Sequence, residues 1–168
     1  LHSTSREYDR SLRAVCRELG IVLEELRGWV CCGSTATEHL SPLASASLSA
    51  YNLALAERAG HTTLAVPCAS CFNRARVAAH NLAQSPALAE QLRQTLDYDY
   101  QGSVQIKNTL ALFLEVVGVE RLRGQVVRPL SHLTVGCYYG CLLTRPPDPL
   151  GAEATERPNT MEQIVAAL

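Results

Sequence analysis

Cys31 and Cys32 stand side by side in "WVCCGSTATEHL", and thirty-five residues later "PCASC" supplies Cys68 and Cys71 as a C-x-x-C pair. Neighbouring cysteines rarely bridge one another, because a disulfide holds its α-carbons farther apart than adjacent residues comfortably allow. The first pair must therefore find partners elsewhere. Four thiolates brought in from two places can converge on one metal centre, and soft sulfur ligands select zinc or iron-sulfur clusters. Simple zinc knuckles space both pairs by about two to four residues. Direct adjacency departs from that habit and suits a larger, multi-iron object whose separate metal atoms each take one thiolate. C-x-x-C between a strand and a helix is also the pattern of a dithiol redox switch, so the second pair taken alone leaves that chemistry open. A third group, "GCYYGC", adds Cys137 and Cys141, two glycine-flanked thiols better read as ligands than as packing.

The remaining polar candidates carry less. Cys16 lies on the apolar stripe of an expected helix and reads as a buried structural thiol, since free cysteine packs as a small hydrophobe. His39, His61, His80 and His132 have no paired spacing and receive no role. Arg145 and the prolines after it read as a rigid surface turn.

The cysteines need elements to position them. Tyr8, Leu12, Val15, Cys16 and Leu19 fall on one stripe at helical spacing over residues 5–19, with Ser5 to start the helix and Gly20 to end it. "IVLEEL", residues 21–26, reads as a short strand that delivers the chain to the double cysteine. Ser41 as cap, Pro42 at the first helical position and Gly60 as terminator mark a long alanine- and leucine-rich helix. "TTLAV" reads as a strand running into Cys68, followed by a helix from Phe72. Further helices are expected at 86–97 and over "TLALFLEVVG" to Gly118, with "SVQIKN" as a strand between them. "LTVGCYYGCL", residues 133–142, reads as another strand entering cysteines. A proline-rich loop short of apolar residues and the helix "MEQIVAAL" follow. Strands alternating with helices predict an α/β fold with a mainly parallel sheet flanked by helices, where ligands gather at the carboxyl ends of strands. All three cysteine groups are expected at such ends.

Composition limits the chemistry. With 168 residues the chain can bury a real core, and its seven cysteines are not needed as a disulfide scaffold. A formal net charge of -1 and no basic run argue against nucleic acid or a polybasic membrane contact. The longest apolar stretch, "LALFLEVVGV", is interrupted by Glu115 and too short to span a bilayer. No signal segment supports secretion, so thiol chemistry in the cytoplasm is expected. The missing initial methionine and the uncapped last helix lead us to expect a piece of a longer protein.

"LHSTSREYDRSLRAVC", "WVCCGSTATEHL", "PCASCFNRAR" and "YYGCLLTRP", in that order and over essentially the whole chain, resemble the cysteine-rich, or CCG, family in the branch of the heterodisulfide reductase B subunits. The resemblance implies a pattern carried twice, each copy holding an upstream cysteine, then CC-G, then C-x-x-C. It assigns Cys31, Cys32, Cys68 and Cys71 as metal ligands of a first unit, residues 1–130 lacking its upstream cysteine. Cys141 becomes the first ligand of a second, truncated unit at 131–168, and Cys137 departs from the pattern. Internal repetition agrees, since "YYGC", a loop and the last helix mirror the expected opening of the first unit. The implied cofactor is a non-cubane 4Fe-4S iron-sulfur cluster, with zinc the alternative. The implied function is electron transfer to a disulfide and its reductive cleavage, with flavin-containing and ferredoxin-like subunits as partners. Gly33, Ser34 and Thr35 would then approach the cofactor, their N-H and hydroxyl groups tuning its sulfurs. Two alternatives stay open: a quinone-linked electron-transfer subunit of a succinate dehydrogenase or glycolate oxidase type complex, and a structural zinc module. Without the rest of the second unit, a two-cluster site is expected not to assemble within this span, which would then be inactive alone.

Overall fold

The computed structural model describes residues 5–151 and 156–168. The fold is α/β, rich in helix around a small parallel sheet. Helices α1 (Arg6–Glu18), α2 (Ser34–Leu40) and α3 (Pro42–Arg58) precede strand β1 (Thr63–Ala65). Helices α4 (Ala69–Gln84) and α5 (Pro86–Leu96) carry the chain to β2 (Gln105–Lys107), which pairs with β1 in parallel, Leu64 opposite Ile106. A short α6 (Thr109–Ala111) continues as a π-helical turn through Val117 and stops at Gly118. Then follow α7 (Val119–Gly124), α8 (Cys141–Thr144), α9 (Pro147–Leu150) and α10 (Thr160–Val165).

Local chemistry accounts for the helices that matter most to the site. The Ser41 hydroxyl accepts from the Ala44 N-H at 3.2 Å and Pro42 occupies the first turn of α3. Ser85 and Pro86 start α5 in the same way. Helix α3 is apolar around its girth and is correspondingly buried: Ala50, Leu53, Ala54 and Ala56 face the interior with Ser45 and Ser49. Its small residues let α4 pack closely against it. Leu53, fully buried, meets Phe72 and Ala75 of α4, Ile106 of β2 and Leu150 of α9 in one core. Burying such a leucine contributes about 1.5–3 kcal/mol. A second core gathers Leu19, Val117, Leu122 and Ala167, and a third Leu12, Cys16 and Leu112. Cys16 is thus a packed interior thiol, and burial pushes its ionisation up.

The structure corrects several expectations. Residues 21–26 and 133–140 form no strand. Their β-branched and aromatic residues favour extended backbone, but a strand also needs a hydrogen-bonded neighbour, and Val22 and Tyr138 stand almost fully exposed. Among the described residues only the C-x-x-C group therefore follows a strand; Cys31, Cys32 and Cys141 follow irregular chain. The α1 stripe is narrower than its spacing suggests, since Tyr8 and Val15 are exposed while Leu12, Cys16 and Leu19 are buried. The proline-rich loop is not purely a surface turn: Pro149 and Leu150 are buried in α9, and Leu150 joins the main core.

Candidate metal centre

Helix α4 positions the C-x-x-C pair. Cys68 is its N-cap, its carbonyl accepting from the Phe72 N-H at 2.9 Å, and Cys71 lies in the first turn. The N-terminus of this 16-residue helix favours thiolate by its dipole. The double cysteine is delivered by a segment held from outside. The Asn52 side chain on α3 accepts from the Val30 N-H at 2.9 Å and donates to the Val30 carbonyl at 2.8 Å. Just upstream, Glu25 accepts from the Trp29 indole at 2.8 Å and from the Arg13 guanidinium at 2.7 Å. These contacts fix the chain on the approach to the turn that presents Cys31 and Cys32.

Beyond the pair, Gly33 and Ser34 both adopt positive φ, 73° and 54°. A Cβ at Gly33 would collide with the Thr37 side chain, so glycine is required here by both conformation and space. The kink turns the Ser34 N-H back to donate to Cys32 Sγ at 3.4 Å. Ser70 donates to Ser34 Oγ at 3.0 Å and its hydroxyl also favours the Cys32 thiolate. The Thr35 side chain lies outside the described residues.

Cys31, Cys32 and Cys71 are brought together, with their sulfurs all within 4.8 Å of one another. Tetrahedral metal-thiolate bonds of about 2.3 Å require sulfurs roughly 3.8 Å apart, so the three donors suit one metal site in number and softness. All seven cysteines are free. Cys71 donates its S-H to Cys32 Sγ at 3.2 Å. That hydrogen bond is the main cause of a Cys32 thiol lowered to about 5; burial opposes it, and Ser34, Ser70 and the charge of Arg74 assist. Cys71 is pushed up in turn, because it holds the shared proton against its thiolate neighbour and is partly buried. Cys68 and Cys141 lie outside the triangle, both exposed, Cys68 one turn from Cys71 and Cys141 at the start of α8. Asn73, fully buried on α4, donates to the Leu142 carbonyl at 2.9 Å and the Arg145 carbonyl at 2.5 Å. It thereby docks the Cys141 segment against the helix that carries Cys71. Cys137 is half-buried, apart from the group.

An open groove of about 600 Å³ reaches Cys71. Leu12, Trp29, Val66 and Pro67 give it apolar walls, and Arg13 and Glu25 add charge. Sequence reasoning found the cysteines but missed Asn52, Ser70, Asn73 and Arg74, whose partners are distant in sequence and leave no local pattern.

The family model described as a cysteine-rich domain, CCG, matches residues 1–75. The whole chain is 34% identical over 171 residues to the 8-methylmenaquinol:fumarate reductase membrane anchor subunit of Wolinella succinogenes. Over 164 residues, 94% of the chain, it is 26% identical to a protein of Archaeoglobus profundus that is named as like the heterodisulfide reductase B subunit. The chain spans 58% and 54% of these two relatives' lengths. Among the described residues no helix is long and apolar enough to cross a membrane.

Proposed function

Residues 1–75 being a cysteine-rich domain of the CCG family, we propose that the chain is part of an iron-sulfur electron-transfer subunit of a multi-subunit reductase. One observation carries the reading: three thiols from two separate segments converge within 4.8 Å, one of them already ionised near neutrality. In this reading Cys31, Cys32, Cys68 and Cys71 hold a non-cubane 4Fe-4S cluster, and Gly33, Ser34 and Thr35 border it. Residues 1–130 are a first cysteine-rich unit, and Cys141 opens a second at 131–168. Residence in the cytoplasm goes with it, because a reducing compartment keeps these thiols available.

When bound, the cluster supplies one-electron transfer and a soft site for a thiolate leaving group. The chain's own residues prepare for it. Cys32 is presented as thiolate, so its coordination releases no proton at neutral pH, and Cys71 gives up the proton that the pair shares. The Ser34 N-H donates to Cys32 Sγ and draws charge from it, and Ser70 braces Ser34 through its hydroxyl. Asn52 keeps both thiols of the turn in register. The groove reaching Cys71 gives an elongated substrate access from one side.

For the acceptor, the motifs favour a disulfide. Its reductive cleavage takes two electrons and two protons and yields two thiols, the electrons arriving from a flavin-containing or ferredoxin-like partner subunit. A second reading, quinol-linked electron transfer with no disulfide cut, is favoured by the 34% identity to the methylmenaquinol:fumarate reductase subunit. Anaerobic titration of the full-length, iron-loaded parent protein separates them. A paramagnetic signal that changes on adding a disulfide supports the first reading. A signal that responds to a menaquinol and ignores disulfides supports the second, and one zinc without sulfide or spectral change contradicts both.

A further inference from the structure

Arg74 makes no hydrogen bond to the described cysteines, yet its charge favours the Cys32 thiolate. It follows Cys71 by three residues on α4, so the two side chains rise from the same side of that helix. Its Nη2 pairs with Glu38 of α2, which joins the helices that follow the two cysteine pairs. The pair is unequal in burial, the Arg74 side chain 13% exposed and that of Glu38 45%. An ion pair made only to tie two helices has no need to sink its cation, and desolvating a guanidinium costs free energy. A guanidinium also carries five N-H donors in a fixed fork. The Nε-H of Arg74 is buried with no acceptor among the described residues. Unpaired buried donors are rare in native proteins and call for a reason.

We propose that Arg74 is the counter-charge of the metal centre, its guanidinium offsetting the negative charge of the group held by Cys31, Cys32 and Cys71. Three thiolates bring three negative charges to one place, and a fixed cation with a spare donor offsets part of them. Arg74 acts through the sulfurs and touches no substrate, so it is a positioning and tuning residue. The inference rests on the metal-binding part of the proposed function, not on iron or on the acceptor.

A fixed positive charge beside thiolates holds their electrons more tightly, so sulfur-to-metal charge transfer needs more energy. The test adds cobalt(II) ion alone, without oxygen, to the metal-free full chain and reads the sulfur-to-cobalt absorption band. Arg74→Gln is expected to move the band to longer wavelength. Arg74→Lys, which keeps the charge but loses the fork, falls between it and the wild type. Glu38→Gln breaks the ion pair and leaves the band in place. A purely structural ion pair predicts the opposite pattern, with Arg74→Gln and Glu38→Gln equally destabilised and neither band shifted. An identical band in Arg74→Gln and wild type overturns the proposal, as does a wild type that takes up no thiolate-bound cobalt. Should Arg74→Gln fail to fold, Arg74→Lys decides alone: a shift to longer wavelength supports the role and no shift overturns it. A shifted cobalt band in a protein that assembles no iron and sulfide would contradict the proposed function and leave Arg74's role standing.

Discussion

A thiol as deeply buried as Cys32 should resist ionisation, yet the S-H of Cys71, two serines and Arg74 reverse the effect of burial. The two sulfurs behave as one unit that keeps a single proton near neutrality. The signs follow from each partner. Cys32 ionises below its unfolded value of roughly 8.5, so its stabilisation is present above that value and fades as pH falls through about 5. Cys71 ionises above it, so its stabilisation is present below and is lost as pH rises. The metal-free pair should therefore stabilise the fold most near the unfolded thiol value and less on either side. In Cys71→Ala the donor is gone, and the midpoint of ultraviolet thiolate absorbance should move from about 5 well towards the ordinary thiol range. Cys16→Ala should leave that midpoint where it was. A Cys71→Ala midpoint that stays low would show that the hydrogen bond is not the cause.

Elements hold these residues through single side chains that bridge long sequence distances. Asn52 of α3 grips both backbone polar groups of Val30, 22 residues away. Asn52→Leu removes both bonds and leaves the Val30 groups to find water. The expected cost is about 1–3 kcal/mol of stability, with faster alkylation of Cys31 and Cys32, measurable by denaturant titration and mass spectrometry. Unchanged alkylation would mean that Trp29 and Glu25 hold the turn without it. In the last turn of α3, Glu57 accepts from the Gln101 N-H, from the Ser103 N-H and hydroxyl, and from Tyr98. Burial works against its charge, but these donors outweigh it and hold the carboxyl below its ordinary value. A depressed carboxyl stabilises the fold above its unfolded value of roughly 4.3 and ceases to do so as pH falls through the folded value. Glu57→Gln should accordingly lower the melting temperature at neutral pH and make little difference in acid, where the wild-type carboxyl is protonated. An equal deficit at both pH values would refute the role given to its charge.

At the scale of the whole molecule, α4 joins the cysteine turn, the main core and the chain's later third. Asn73 and Arg76 reach from it to the carbonyls of Leu142, Arg145 and Pro149, while Phe72 and Ala75 enter the core. Asn73→Ala should cost about 1–3 kcal/mol and open residues 141–150 to proteolysis; cleavage at the wild-type rate would contradict it. The longer helices were legible because their signals are local: Ser41 with Pro42 begins α3, and Gly118 ends the π turn; the short helices α2, α7, α8 and α9 were not expected. The parallel β1-β2 pairing was legible as a class from alternation. The expected strands at 21–26 and 133–140 failed because extended propensity says nothing about a partner. In the site, Cys31, Cys32 and Cys71 could be read from spacing. Asn52 and Arg74 could not, since each lies within an ordinary helical run and acquires meaning only from what folding brings beside it.

The most direct test of the central claim is iron and acid-labile sulfide content, measured on the full-length parent protein purified without oxygen and on its Cys32→Ser and Cys71→Ser variants. The account predicts several irons with matching sulfide in the wild type, a large loss in both variants, and wild-type content in Cys137→Ser. One zinc without sulfide in the wild type, or undiminished iron and sulfide in Cys32→Ser, would contradict it.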